Sequence, residues 1–202
     1  MAKDYHDYVI KDGEFIGKFE EMYSDCEDPW TQSVQPNKYS RSSGIWHLKN
    51  FNIQSVLECG CGLGYYADWI KQDTGVTPKS VDISKNAIDK AKELFPSLDF
   101  EVADITKDLE KYKHLDAVMF AEIIWYILPD LNSIFEELRK HFKNKHLIVL
   151  QVFYKGSQKY GNEYFTSLDE FIEYVPFELV ARTEATLSKD ATVETTSVFK
   201  IS

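Results

Sequence analysis

The chain has 202 residues, of which 44% are hydrophobic, and a formal net charge of -10 at pH 7. This size suits one globular domain with a substantial core, or one domain with a short extension. Its three arginines, Arg41, Arg139 and Arg182, are scattered, whereas a protein that grips a phosphate backbone usually has a clustered basic face. We therefore expect no nucleic-acid partner.

The cysteines and the hydropathy pattern indicate the cellular compartment. Cys59 and Cys61 have one residue between them, which matches no common zinc spacing. An odd cysteine count without an apolar N-terminal signal indicates reduced thiols. No stretch reaches the roughly 18 to 20 apolar residues of a membrane span. We expect a cytoplasmic protein with no membrane span and no metal site.

Residues 1–50 are predicted to form a helical extension. Phe15, Phe19 and Tyr23 lie at the spacing of one face of a short amphipathic helix,. Pro29 ends this helix, because the residue before a proline is pushed out of the helical conformation. A second helix is predicted over residues 41–50.

From residue 51 to residue 202, the pattern is that of a single α/β unit. Five strands are predicted over residues 55–59, 79–82, 98–102, 115–121 and 146–152. Ser84 and Asp130 stand where they can cap the helices after the second and fourth strands. Strands that alternate with helices predict a parallel sheet with helices on both faces.

The C-terminal part follows a different pattern. A short helix is predicted from Ser167 or Asp169 to Val175, and two strands then cover residues 177–185 and 192–201 around the turn Ser188-Lys189-Asp190. Two strands joined by a tight turn are antiparallel. The sheet is therefore predicted to be parallel with one antiparallel strand near its end.

A glycine-rich segment, Glu58 to Gly64, stands where the first predicted strand ends and a helix begins. Gly60, Gly62 and Gly64 permit a tight turn and let a ligand lie against bare backbone, and a helix N-terminus offers unpaired N–H groups. A dinucleotide fingerprint needs the third glycine one place later, and a P-loop needs Gly-Lys-Ser/Thr. The alternative is a plain strand–helix turn.

Two aspartates follow the next two predicted strands. Asp82 can accept both hydroxyls of a ribose, and Asp104 can accept from an adenine amino group while Ile83 and Ile105 pack against the ring. The alternatives are a helix cap for Asp82 and a turn residue for Asp104. Ligands of open parallel sheets bind at the carboxyl ends of the strands, so this ordered set predicts a nucleoside-type ligand.

Residues 56–70, 80–95, 102–109 and 115–128 resemble the four successive motifs of class I S-adenosylmethionine-dependent methyltransferases. The resemblance implies a Rossmann-like, doubly wound α/β fold whose seven strands have the order 3-2-1-4-5-7-6, with strand 7 antiparallel. It also implies S-adenosyl-L-methionine as the cofactor. The resemblance implies that Asp82 contacts the ribose and that Asp104 and Ile105 contact the adenine. It implies that the methionine part is surrounded by Glu58, Gly60, Gly62 and Gly64. Glu122 is the remaining residue expected to contact the cofactor.

A narrower resemblance concerns the acceptor. Three segments are similar to the nodulation N-methyltransferase type, which acts on glucosamine-derived lipid precursors: Asp28-Pro29-Trp30, Lys38-Tyr39-Ser40-Arg41 and residues 122–128. That type has an acidic residue after the tyrosine of its N-terminal motif, where this chain has Ser40. The acceptor is therefore less defined than the cofactor.

Methyl transfer is a direct displacement, so alignment of the acceptor and exclusion of water carry most of the catalysis, and a general base helps some acceptors. The candidate catalytic residues are Glu122, Tyr126 and His47; for His47 the alternative is a helix-surface position. The candidate acceptor contacts are Trp30, Tyr39, Arg41, Trp125, Tyr126, Gln151 and Tyr154. For the two tryptophans the alternative is core packing.

These patterns predict a methyltransferase that acts on nitrogen or oxygen of a small molecule, for example a sugar or sugar nucleotide of surface-glycan biosynthesis. The alternatives are a protein or natural-product acceptor, or a noncatalytic subunit that only binds the cofactor. Residues 1–39 hold many aromatic side chains outside the predicted sheet, and such a surface needs a packing partner. We expect them to form a lid over the cofactor and one wall of the acceptor pocket.

Overall fold

The computed structural model describes residues 5–34, 38–186 and 191–202. The helices in chain order are α1 (Phe19–Asp25), α2 (Tyr39–Asn50), α3 (Tyr65–Thr74), α4 (Lys85–Leu94), α5 (Ile105–Asp108), α6 (Leu131–His141) and α7 (Leu168–Tyr174). The strands are β1 (Ile10–Lys11), β2 (Glu14–Phe15), β3 (Val56–Cys59), β4 (Lys79–Asp82), β5 (Asp99–Val102), β6 (Ala117–Ala121), β7 (His146–Tyr154), β8 (Glu178–Ala185) and β9 (Thr192–Lys200).

Strands β3 to β9 form one sheet with the order β5-β4-β3-β6-β7-β9-β8. Strand β9 is antiparallel to both β7 and β8, whereas β5, β4, β3, β6 and β7 are mutually parallel. Numbered from β3, this is the predicted order 3-2-1-4-5-7-6 with its seventh strand reversed, so the Rossmann-like α/β fold is confirmed. The predicted turn Ser188-Lys189-Asp190 lies outside the described residues.

Helices cover both faces of the sheet. One face packs against α2 and α3 through a cluster that includes Leu48, Ile70 and Met119. The other face packs against α6 and α7 through a larger cluster that includes Phe135 and Phe171. The central strands are buried on both sides, which is why β3 and β6 are apolar along almost their whole length,.

The extension differs in part from the helical prediction. The helix expected from Phe15 begins only at Phe19, and a two-stranded hairpin of β1 and β2 precedes it. Asp12 and Gly13 join these strands with positive φ angles of 54° and 85°, the conformation that a tight hairpin turn requires. The Asp-Gly pair was the sequence signal for this hairpin.

Two predicted helix caps have different outcomes. The Ser84 side chain accepts a hydrogen bond from the Ala87 N–H and caps α4 as expected. Asp130 precedes α6, but its side chain makes no capping hydrogen bond, so that prediction was wrong. Leu128–Asp130 already form a short 3-10 helix that continues directly into α6.

Among the described residues, no helix is both long and apolar enough to cross a membrane.

Candidate functional site

The glycine-rich segment turns sharply after β3. The N–H groups of Gly60 and Cys61 donate to the Val81 carbonyl at 2.8 and 3.0 Å, which ties the turn to β4. Gly60 has a φ of 76°, and a Cβ there would lie 2.1 Å from the Ile123 side chain. A side chain at this position would therefore be both strained and obstructed.

A cavity of about 520 Å³ opens beside this turn and is called the first cavity. Asp82, Ile83, Asp104 and Ile105 line it together with Gly60. The extension supplies the facing wall with Phe15, Phe19 and Tyr23. The structure thus brings together the residues that were predicted to contact ribose and adenine.

Asp82 is a buried carboxylate at the end of β4. Its Oδ1 accepts from the Ser84 N–H and its Oδ2 from the Gly62 N–H, both at 2.9 Å. Burial raises the pKa of Asp82 above its ordinary value, while these hydrogen bonds oppose that rise. An ionised carboxylate has about four acceptor positions. Asp82 therefore holds the glycine turn and keeps acceptor capacity on each oxygen.

Asp104 caps α5 at the edge of the first cavity. Its Oδ1 accepts from the Thr106 N–H at 3.0 Å, and its Oδ2 pairs with Lys107 Nζ at 2.6 Å. Burial alone would raise the pKa of Asp104, but the hydrogen bonds from Lys107 and Thr106 lower it below the ordinary value. Asp104 is thus an ionised acceptor, and the cap coexists with its place on the cavity wall.

Three members of the predicted cofactor set lie behind the wall rather than on it. Glu58 is buried beneath the turn and accepts from Ser80 Oγ at 2.6 Å, and burial raises its pKa to about 7. Gly62 is covered by the extension, and Gly64 packs against Phe100, whose ring would lie 2.5 Å from a Cβ. None of the three lines either cavity described, so their contribution is to shape the turn.

A second cavity, of about 680 Å³, lies beyond the ends of β6 and β7. Its lining includes the predicted residues Trp30, Arg41, Glu122, Trp125, Tyr126, Gln151 and Tyr154. Four residues line both cavities: Tyr23, Gly60, Ile123 and Tyr126. The two cavities therefore meet beside the glycine turn.

Glu122 stands at the mouth of the second cavity in an unusual backbone conformation, with a φ of 64°. Its N–H donates to the Leu150 carbonyl at 2.9 Å. Its carboxylate contacts Lys38 Nζ at 3.1 Å, Ser40 Oγ at 3.2 Å and Arg41 Nη2 at 3.6 Å. Glu122 does not line the first cavity, so its placement fits the acceptor side rather than direct cofactor contact.

Trp125 and Gln151 are held by one carbonyl. Trp125 Nε1 and Gln151 Nε2 each donate to the Val152 carbonyl at 3.1 Å. Gln151 Oε1 is buried and has no hydrogen-bond partner among the described residues. Because a carbonyl can only accept, the amide nitrogen must face Val152, which turns Gln151 Oε1 away from Val152.

Tyr126 lies between the cavities within an aromatic group. Its ring centroid is 5.4 Å from Phe19 and 5.7 Å from Trp30. Burial raises the pKa of the Tyr126 hydroxyl well above its ordinary value, and burial also raises the pKa of Tyr154. Both phenols therefore keep their protons near neutral pH and act as hydrogen-bond donors there.

Two predicted site residues lie apart from both cavities. His47 is buried within the cover of the sheet, stacked 6.0 Å from Phe51, and its ring nitrogens have no hydrogen-bond partner in the part of the chain described. Burial lowers its pKa. Neither the catalytic placement nor the surface alternative for His47 agrees with this position. Tyr39 begins α2, is exposed and lines neither cavity.

Sequence reasoning missed Gln32. Its Oε1 accepts from the Leu63 N–H at 2.8 Å, and its Nε2 donates to the Cys61 carbonyl at 3.4 Å. Gln32 also lines the second cavity. The only local signal is Asp28, whose carboxylate accepts from the N–H groups of Gln32 and Ser33 at 2.8 Å.

No group of three or more His, Cys, Asp or Glu side chains in the described ranges is placed to hold a metal.

A protein-family model matches the middle part of the chain. Residues 56–145 match the family model described as a methyltransferase domain. No curated protein matches the chain in a sequence search. The matched segment contains the glycine turn and the residues from Asp82 to Ile105.

Solved structures, two of them named as methyltransferases, share the fold at low sequence identity. The N-methyltransferase NodS from Bradyrhizobium japonicum WM9, in complex with S-adenosyl-L-homocysteine, has a TM-score of 0.70 at 16% identity over 91% of this chain and 97% of that one. A TehB-like SAM-dependent methyltransferase from Corynebacterium glutamicum ATCC 13032 Kitasato has a TM-score of 0.62 at 17% identity, over 91% of this chain and 98% of that one. The MccD protein has a TM-score of 0.64 at 13% identity, over 82% of this chain and 97% of that one. The chain therefore matches a methyltransferase domain over residues 56–145 and shares the fold of these solved structures.

Proposed function

We propose that this chain transfers the methyl group of S-adenosyl-L-methionine to a nitrogen or oxygen atom of a small-molecule acceptor. The observation that carries the proposal is the junction of the two cavities at Gly60 and Tyr126. A nucleoside held in the first cavity would present a reactive group at that junction. An acceptor in the second cavity would meet it there, within the matched methyltransferase domain.

The residues of the first cavity fit the cofactor. Asp82 has acceptor positions left for ribose hydroxyls, and Asp104 is an ionised acceptor that would suit an adenine amino group. Ile83, which is exposed, and Ile105, which is mostly buried, both line the cavity, so apolar surface is available to the ring. The bound cofactor would supply a methyl group that is already activated on a sulfonium.

The remaining work of the protein is alignment and exclusion of water. Tyr23 and Tyr126 cover the junction, and both line the two cavities. Gln151 Oε1 and the Glu122 carboxylate are hydrogen-bond acceptors at adjacent strand ends. They are suited to orient a donor group such as an amine or a hydroxyl. Glu122 lies beside Lys38 and Arg41, and a nearby cation favours the ionised form of a carboxylate. We therefore propose that Glu122 mainly orients the acceptor and only secondarily accepts its proton.

The second cavity favours a polar acceptor of moderate size. Its wall combines the aromatic rings of Trp30, Tyr126 and Tyr154 with the polar groups of Gln151 and Arg41. Aromatic faces with polar edges suit a sugar or a sugar nucleotide, which we propose as the acceptor class, used in surface-glycan biosynthesis. NodS is named an N-methyltransferase, which makes an amine nitrogen the first acceptor atom to test.

The proposed compartment is the cytoplasm. Cys59 and Cys61 form no disulfide among the described residues, which supports a reducing environment. The net charge of -10 supports a small-molecule partner over a nucleic acid, because phosphate backbones attract basic surfaces.

The test is methyl transfer from methyl-labelled S-adenosyl-L-methionine into a bacterial extract that has been separated into small molecules and proteins. Label in the small-molecule fraction is expected. Label confined to proteins would favour a protein acceptor. A chain that binds the cofactor but labels neither fraction would be a noncatalytic binding subunit, which would overturn the proposal.

A further inference from the structure

The turn Cys61-Gly62-Leu63 is held from two opposite sides. From the sheet, Asp82 Oδ2 accepts the Gly62 N–H at 2.9 Å. From the extension, Gln32 accepts the next N–H, that of Leu63, at 2.8 Å and reaches the Cys61 carbonyl at 3.4 Å. The extension thus bonds directly to the backbone that shapes the first cavity.

A carboxamide is the side chain that satisfies this turn. The Leu63 N–H needs an acceptor and the Cys61 carbonyl needs a donor, and an amide offers both within one planar group. Gln32 is buried, with 7% of its surface exposed. Loss of its hydrogen bond would leave the Leu63 N–H unpaired and shielded from water, which costs folding free energy. Asp28 orients this glutamine by accepting its N–H at 2.8 Å.

We infer that Gln32 is a positioning residue for the cofactor, through which the extension fixes the glycine turn in its binding conformation. This inference rests on the proposed function. Gln32 lines the second cavity while it bonds to the turn beside the first. Gln32 therefore couples acceptor binding in the second cavity to cofactor affinity in the first cavity.

Ser33 is next to Gln32 in the same turn and also bonds to Asp28, with Oγ to Oδ2 at 2.6 Å. Ser33 is exposed, and within the described part of the chain its hydrogen bonds go to Asp28 and not to the glycine turn. Ser33→Ala is therefore a matched control for Gln32→Leu, while Gln32→Glu keeps the acceptor and removes the donor.

The experiment measures the amide hydrogen exchange of Leu63 by NMR without ligand, and the dissociation rate and affinity of S-adenosyl-L-homocysteine. In Gln32→Leu we expect the amide hydrogen of Leu63 to exchange about tenfold faster. We also expect the affinity for S-adenosyl-L-homocysteine to be about tenfold weaker, mostly because the ligand dissociates faster. Gln32→Glu should fall between this variant and the wild type, and Ser33→Ala should match the wild type in both readouts.

Unchanged Leu63 exchange in Gln32→Leu would overturn the inference, and so would faster exchange with unchanged ligand affinity. A wild-type chain that fails to bind S-adenosyl-L-homocysteine would contradict the proposed function itself. Tight wild-type binding that Gln32→Leu leaves intact would remove only the role of Gln32. Urea unfolding of each variant verifies that it stays folded under the assay conditions, so that the readouts report the turn and not unfolded chain.

Discussion

At the scale of single residues, Asp82 combines structural hydrogen bonds with a place on the wall of the first cavity. It accepts backbone N–H groups from Gly62 and Ser84 and also lines the first cavity. The helix cap that the sequence offered as the alternative for Asp82 is wrong, because Ser84 caps α4. The ribose contact of Asp82 stays a prediction. The position of Asp82 at the end of β4 was predictable from the strand pattern. Its bond to Gly62 was not, because it depends on how two strands pair.

Replacement of Asp82 tests its predicted ligand contact. Asp82→Ala is expected to weaken S-adenosyl-L-homocysteine binding by about 1.5 to 3 kcal/mol, since hydrogen bonds to a charged acceptor are lost, and Asp82→Asn should cost less. Isothermal titration calorimetry measures both. The matched control is Asp89→Ala, an exposed position on α4. Equal affinity in Asp82→Ala and the wild type would reduce Asp82 to a structural residue.

Glu58 predicts a pH dependence of stability. Burial raises its pKa from 4.5 to about 7 in the folded state, so the folded chain holds a proton there that the unfolded chain has released. Between pH 4.5 and 7, this group therefore makes stability fall as pH rises,. Glu58→Gln, which keeps the shape beside Ser80, should remove that loss, on the order of 3 kcal/mol by pH 8.

Urea unfolding of the wild type and Glu58→Gln at pH 5 and pH 8 measures this effect. The difference between the two proteins isolates Glu58 from the other titrating groups. An identical change in unfolding free energy with pH in both would contradict a raised pKa at Glu58.

At the scale of elements, the strands were predictable because their apolar runs are short, buried and followed by turn residues. The antiparallel β9 was predictable because a tight turn fixes strand direction. The extension was only partly predictable. Phe15 lies in β2 and Phe19 begins α1, so these two aromatic residues do not share one helix face as the spacing predicted. Bonds such as Gln32 to Leu63 join residues 31 positions apart, and no local pattern reveals them.

The glycine turn gives a sharp comparison between two left-handed glycines. Gly62 and Gly75 have φ angles of 55° and 77°, but a Cβ at Gly62 would lie 2.6 Å from Tyr23 Oη, whereas a Cβ at Gly75 would meet nothing within 4 Å. Gly75→Ala is expected to cost about 1 kcal/mol of stability from backbone conformation alone. Gly62→Ala should cost more and also displace the extension.

Thermal unfolding and S-adenosyl-L-homocysteine titration of both variants check this prediction. We expect weakened ligand binding in Gly62→Ala and unchanged binding in Gly75→Ala. Equal effects of the two substitutions would mean that the extension does not press on the glycine turn.

At the scale of the whole molecule, the extension is joined to the sheet domain at several points. Tyr8, Val9, Met22 and Tyr23 form a buried cluster with Leu63 and Ala87 of the sheet domain. Glu20 accepts from Ser84 Oγ at 2.5 Å beside the first cavity. The predicted lid thus has a specific packing surface, and its closure over ligands remains a prediction.

Removal of residues 1–28 tests the lid. The shortened chain should fold and keep part of its affinity for S-adenosyl-L-homocysteine, because Asp82 and Asp104 belong to the sheet domain. It should lose methyl transfer, because Phe19 and Tyr23 no longer exclude water from the junction. Circular dichroism, calorimetry and a labelled-methyl assay measure these outcomes. Full transfer activity in the shortened chain would make the extension a packing element only.

We expect the cavity framed by Gly60, Asp82 and Asp104 to bind S-adenosyl-L-methionine. Calorimetric titration of the wild-type chain with the cofactor and with S-adenosyl-L-homocysteine measures this binding. We predict one site per chain with micromolar affinity, roughly -8 kcal/mol, together with a rise in the unfolding temperature as ligand is added. No heat of binding and no thermal shift with either ligand would contradict this expectation.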